Sequence, residues 1–122
     1  YLFTRDDVLT DVRYPGLPSS PYNDLAEKYL EGASGVLTID VKGGREAGVK
    51  FMDALQLIAR QVHVADARSC VLHPASTTHR QVPDDQLESV GITPGLVRIS
   101  VGLENADDII ADIEQALAKV AE

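Results

Sequence analysis

Arg98 sits in the middle of Leu96-Val97-Arg98-Ile99-Ser100-Val101, an otherwise apolar, β-rich run. Alternation along a strand puts Val97, Ile99 and Val101 on one face and Leu96, Arg98 and Ser100 on the other. A guanidinium in such a run is costly unless an anion meets it. Pattern alone favours a snorkelling or salt-bridged arginine on a solvated sheet face. The chemical alternative is a bidentate grip on a carboxylate, for which the planar guanidinium fork is shaped.

The other polar constellations carry weaker signals. His73-Pro74-Ala75-Ser76-Thr77-Thr78-His79 follows a strand end, where binding groups often sit, but its hydroxyls and imidazoles equally suit the satisfaction of turn backbone. His63, His73 and His79 fit no zinc spacing, and Cys70 has no cysteine partner, so a metal site is rejected. Gly43-Gly44-Arg45-Glu46 looks like an anion-binding turn but lacks the P-loop and dinucleotide spacings, and helix entry explains it better. Lys28, Lys42, Lys50 and Lys119 fall on predicted helices or strands, outside any glycine- or serine-rich context expected of a Schiff-base lysine.

The elements that must position these residues follow from periodicity and punctuation. Residues 1–5 read as the end of a helix, and Asp11–Tyr14 as a short strand running into the irregular Pro15-Gly16-Leu17-Pro18. Ser20-Pro21 predicts a helix start, with Leu25, Ala26, Tyr29 and Leu30 on one face and Gly32 beyond its end. Val36–Val41 alternates as a strand, and Gly43-Gly44 closes it. A long helix carries Ala47, Phe51, Leu55, Ile58 and Ala59. Residues 61–65 and 69–73 are expected to be short strands, 84–90 a short helix ended by Gly91, and 96–101 a strand. Asn105 caps the last helix, whose stripe is Ile109, Ile110, Ile113, Leu117 and Val120. The order β-α-β-α-β-β-α-β-α predicts an α+β fold, with a mainly antiparallel sheet of about four strands and helices packed on one face.

Composition narrows the class. The chain has 122 residues, the size of one domain, and its 44% hydrophobic content argues against disorder. A net charge of −8 disfavours nucleic acid and anionic lipid as partners. No apolar run approaches membrane-spanning length. With no Trp there is little aromatic surface on which bases would stack. Cys70, within Cys70-Val71-Leu72, reads as a buried, inert thiol.

Five blocks of sequence point further: Tyr14-Pro15-Gly16-Leu17-Pro18-Ser19, Asp66-Ala67-Arg68-Ser69, the segment His73–His79, the segment Gly91–Glu104 and Asp107-Asp108-Ile109-Ile110. Together they resemble the C-terminal domain of the Cys/Met-metabolism enzymes that depend on pyridoxal phosphate (PLP), and within that family O-acetylhomoserine sulfhydrylase in particular. The likeness covers nearly the whole chain. It implies that residues 1–122 are the small C-terminal domain of a larger, cytoplasmic, homo-oligomeric enzyme, packed over a separate domain that binds PLP and carries the Schiff-base lysine.

The resemblance also assigns roles. It makes Arg98 the arginine that holds the α-carboxylate of the amino-acid substrate, and Thr78 a supporting hydrogen-bond donor in the same pocket. His63 falls where the family usually has Ser or Asn beside the cofactor and the substrate carboxylate, and Ala65 replaces a usual Gly. No catalytic or cofactor-binding residue is assigned to this chain. The implied reaction is γ-replacement, in which sulfide displaces acetate from a homoserine ester to give homocysteine. Cystathionine γ-synthase, methionine γ-lyase and O-succinylhomoserine sulfhydrylase chemistries remain alternatives. Outside catalysis, a ligand-binding domain with a complete pocket of its own, or an oligomerisation domain with an exposed apolar sheet face, would share the same patterning.

Overall fold

The computed structural model describes residues 1–121. Its strands and helices follow in the expected order: β1 (Leu9–Arg13), α1 (Asn23–Tyr29), β2 (Val36–Val41), α2 (Gly44–Ala54), β3 (Ala59–Arg60), β4 (Cys70–Leu72), α3 (Asp84–Leu87), β5 (Leu96–Ser100) and α4 (Ala106–Ala121). One sheet of five strands runs β1-β2-β5-β4-β3. The β1–β2, β2–β5 and β5–β4 pairs are antiparallel, and only the two-residue β3 joins β4 in parallel. The fold is therefore α+β with a mostly antiparallel sheet.

Alternation divides the sheet into two faces. Val12, Ile39 and Val97 lie in register across one face, as do Leu37, Ile99 and Val71. These residues pack with Phe51 and Met52 of α2 and with Ile109, Ile113, Ala116 and Leu117 of α4 into one core. The opposite face carries the row Arg13, Thr38, Arg98 and Leu72. Arg98 thus stands at the centre of the sheet, on the side away from that core.

Several boundaries differ from the sequence reading, each for a physical reason. The helix expected to run through Ile58 and Ala59 stops at Ala54, and Leu55 is extended with ψ 139°. The cause lies in α4. The Asp112 carboxylate accepts the backbone N–H groups of Gln56, Leu57 and Ile58 at 2.8–2.9 Å, and Gln115 Nε2 donates to the carbonyl of Ala54 at 2.7 Å. A side chain remote in sequence takes over the groups that another helical turn would have used, which releases Ala59–Arg60 to form β3.

The strand expected over 61–65 is instead a loop. At the N-terminal end, Ser20 Oγ accepts the N–H of Tyr22 at 3.2 Å, and α1 begins at Asn23 rather than at Pro21. Only Ala26 of the α1 stripe is buried; Leu25, Tyr29 and Leu30 are exposed. Gly91 ends the 84–90 segment in the left-handed conformation, with φ 77°. Asn105 caps α4 as expected, its Oδ1 accepting the N–H of Asp107 at 2.8 Å. No helix among the described residues is long and apolar enough to cross a membrane.

Candidate functional site

Arg98 reaches from β5 toward the loop that follows β3. Its Nη2 donates to the carbonyl of Val62 at 2.7 Å and lies 3.4 Å from that of His63. Its Nε is buried and meets no hydrogen-bond acceptor among the described residues. A buried, unsatisfied N–H costs about 1–3 kcal/mol, and no carboxylate among the described residues pairs with this guanidinium. This is not the pattern of a salt-bridged surface arginine. The other ion pairs on the molecule show the contrast: Arg13 meets Asp11 at 2.6 Å, and Arg5 meets Asp7 at 2.9 Å.

At the β3–β4 edge of the sheet opens a cavity of about 520 Å³ whose lining includes Arg60, Val62, Val71, Leu72, Thr78 and Arg80 but not Arg98 itself. Leu72 is the cross-strand partner of Arg98, and Val62 is its hydrogen-bond acceptor, so the arginine adjoins the cavity through both. A second groove of about 530 Å³ runs between residues 2 and 22. The arginines lining it, Arg5 and Arg13, are already paired with carboxylates of this chain.

Thr78 reaches the cavity on a stiff loop built around His73. That imidazole is fully buried. Its Nε2 lies 2.8 Å from the carbonyl of Pro94, so Nε2 carries the proton, and Nδ1 accepts from Ser76 Oγ at 2.8 Å. Burial pushes the His73 pKa below its ordinary value, which keeps the ring neutral. The ring presses on α2 where Gly48 leaves room: a Cβ there would come within 2.4 Å of Nε2. Arg45, in the first turn of α2, donates to the carbonyls of Ala75 and Val82 and pairs with Asp84. The Gly43-Gly44-Arg45 turn is helix entry, as expected, and its arginine also ties down both ends of the threonine loop. Thr78 Oγ1 sits 2.9 Å from His79 Nδ1 at the surface.

His63 presents both its ring and its backbone to the loop that follows β3. Its imidazole is exposed and lies 3.6 Å from Asp66, while its backbone carbonyl faces Arg98. The loop turns at Ala65, which holds φ 61°. An L-residue with a Cβ adopts that conformation at a cost of about 1–2 kcal/mol. Ala65→Gly is therefore expected to raise stability by about 1 kcal/mol, measured as a higher midpoint in thermal or chemical unfolding.

A latch closes the far end of this loop. Glu104 accepts the N–H and the hydroxyl of buried Ser69 at 2.7 and 2.8 Å, and Ser69 Oγ accepts the N–H of Gly102 at 2.9 Å. The Ser69 hydrogen bonds hold the Glu104 carboxyl below the usual carboxylate range. Sequence reading missed Ser69, Ser100, Glu104 and Asp112, whose polarity is unremarkable until their partners are known. The positive φ at Ala65 had a signal, a position where glycine is usual.

Residues 1–118 match the Cys/Met metabolism PLP-dependent enzyme family. O-acetyl-L-homoserine sulfhydrylase 1 of Thermus thermophilus is 46% identical over 108 residues, which are 88% of this chain and 26% of that protein. L-methionine gamma-lyase of Pseudomonas putida is also 46% identical, over 87% of this chain and 27% of that protein. The solved structure of an O-acetylhomoserine (thiol)-lyase from Campylobacter jejuni, which contains N′-pyridoxyl-lysine-5′-monophosphate, superposes with a TM-score of 0.85 at 39% identity, covering 96% of this chain and 28% of that one. The chain thus spans about a quarter of the length of the curated relatives it matches.

Proposed function

Because this chain belongs to the Cys/Met metabolism PLP-dependent enzymes, we propose that it is their C-terminal small domain and supplies the substrate-carboxylate side of an active site. One observation carries the reading. Arg98 is anchored through Nη2 by neutral carbonyls, while its buried Nε has no acceptor among the described residues. An amino-acid carboxylate arriving from the cavity side provides the missing anion. Thr78 on the cavity wall adds a hydroxyl, and the His63 carbonyl helps to hold the guanidinium.

We place the PLP site outside this domain. Lys42 donates to the carbonyl of Asp6, Lys28 lies 5.0 Å from the centroid of the Tyr29 ring, and no lysine among the described residues borders the cavity. PLP, when bound, stabilises carbanions of the amino-acid substrate. The part of this domain is to orient that substrate by its carboxylate and to close one side of the pocket. The exposed Val62 and Val64 of the loop with Leu103, and Leu25 and Tyr29 of α1 with Leu30 just beyond it, are apolar surface that the rest of the enzyme would cover.

The reaction we favour is γ-replacement: sulfide adds to the γ-carbon of O-acetylhomoserine, acetate leaves, and homocysteine forms. The equal 46% identity to a methionine γ-lyase supports γ-elimination as the second reading. Assaying the complete PLP-loaded enzyme separates them. Homocysteine from O-acetyl-L-homoserine and sulfide should form with a higher kcat/KM than methanethiol from L-methionine; the reverse order establishes the lyase reading. Residues 1–122 alone should yield no borohydride-reducible PLP–lysine adduct, and an adduct at one specific lysine would overturn the domain assignment.

A further inference from the structure

We infer that Ser100 is a positioning residue for the reaction, its hydroxyl holding the 61–65 loop in the conformation that aims Arg98. This rests on the reading of Arg98 as the carboxylate grip. Ser100 lies two residues beyond Arg98 on β5, on the same face, and is only 2% exposed. Its Oγ accepts the N–H of Ala65 at 3.2 Å.

Ala65 is the residue held at φ 61°, and a few residues earlier the carbonyls of Val62 and His63 face Arg98 Nη2. The result is a closed circuit. It runs along the Arg98 side chain to the Val62 carbonyl, through the loop to the Ala65 N–H, across to Ser100 Oγ, and back along two residues of strand. The loop is thereby pinned at two points on one rigid strand. The strained bend at Ala65 persists only while its N–H is captured, because a strained backbone conformation needs its surroundings to hold it.

Without the Ser100 hydroxyl, Ala65 relaxes toward negative φ and the two carbonyls shift away from the guanidinium. Arg98 then regains rotamer freedom that must be lost again on binding substrate. A loss of this kind weakens substrate capture rather than the chemical step.

The test is steady-state kinetics of the complete PLP-loaded enzyme with O-acetyl-L-homoserine and sulfide, or with L-methionine if γ-elimination is the activity found. Ser100→Ala is expected to raise the amino-acid KM about tenfold while kcat stays within about threefold. Ser100→Cys puts a slightly larger, weakly accepting thiol in the same place, and should raise KM in the same direction with the fold intact by thermal melt; it decides the matter if Ser100→Ala fails to fold. In an Arg98→Lys background Ser100→Ala should add little, because both changes act on one unit. Unchanged KM in folded Ser100→Cys, or full additivity with Arg98→Lys, overturns the inference. The two levels stay distinguishable. If Arg98→Ala leaves KM unchanged, the carboxylate reading fails. If Arg98→Ala raises KM and the Ser100 variants do not, only the positioning role fails.

Discussion

Arg98→Ala in the complete enzyme is expected to raise the KM for the amino-acid substrate by tens- to thousands-fold and to leave the fold intact. A guanidinium–carboxylate pair in a partly desolvated pocket is worth about 2–5 kcal/mol on truncation, much of it the penalty of leaving the substrate carboxylate unpaired. The protein loses little in exchange, because Arg98 contributes to folding through the Val62 and His63 carbonyls and bears the burden of a buried Nε without an acceptor. Arg98→Lys should rescue poorly, since an ammonium keeps the charge but cannot present two parallel N–H donors. A surface arginine with no ligand would behave oppositely, with KM unmoved and stability lower by at most about 1 kcal/mol. Kinetics and thermal melts of both variants decide, and unchanged kinetics beside a lowered melting temperature would sink the carboxylate role.

Asp112→Ala is expected to destabilise the fold by about 3–4 kcal/mol, because three backbone N–H groups lose a charged acceptor at once. Asp112 is 6% exposed. Burial by itself would raise its pKa, but the N–H groups of Ile58, Gln56 and Leu57, with Gln115, outweigh that and leave the pKa below its ordinary value. The sign of the pH dependence follows. A carboxyl whose pKa is lower in the folded than in the unfolded chain stabilises the fold above the unfolded value, about 3.9, and loses that contribution as pH falls through the folded value. Asp112→Asn should therefore be less stable than wild type at neutral pH, and the gap should narrow as the pH drops below about 4. Urea unfolding of both proteins between pH 3 and pH 7 measures it. A gap independent of pH would mean that the carboxylate charge contributes nothing to holding residues 56–58.

Much of the fold was legible because it is written in local pattern. Alternation in Val36–Val41 and Leu96–Ser100 set the two faces of the central strands, and the stripe Ile109, Ile113 and Leu117 set the buried side of α4. Gly91 and Asn105 marked ends through backbone and capping chemistry that acts within a few residues. Arg98 stood out for the same reason, as a charge where a strand calls for an apolar side chain.

What the chain could not declare locally was decided by partners far along it. Helical periodicity continued through Ile58, yet α2 ends at Ala54 because Asp112, 54 residues later, takes the N–H of Ile58. The 61–65 segment has the apolar look of a strand, yet Arg98 and Ser100 draw its carbonyls and its N–H out of line and bend it at Ala65. The His63 residue type gives no hint that its backbone carbonyl faces Arg98, 35 residues away, while its ring lies beside Asp66. The physical reason is common to all three. A backbone group is satisfied by whichever partner the folded chain brings within about 3 Å, and for these residues that partner arrives through the packing of α4 and β5, which no window of neighbouring sequence contains.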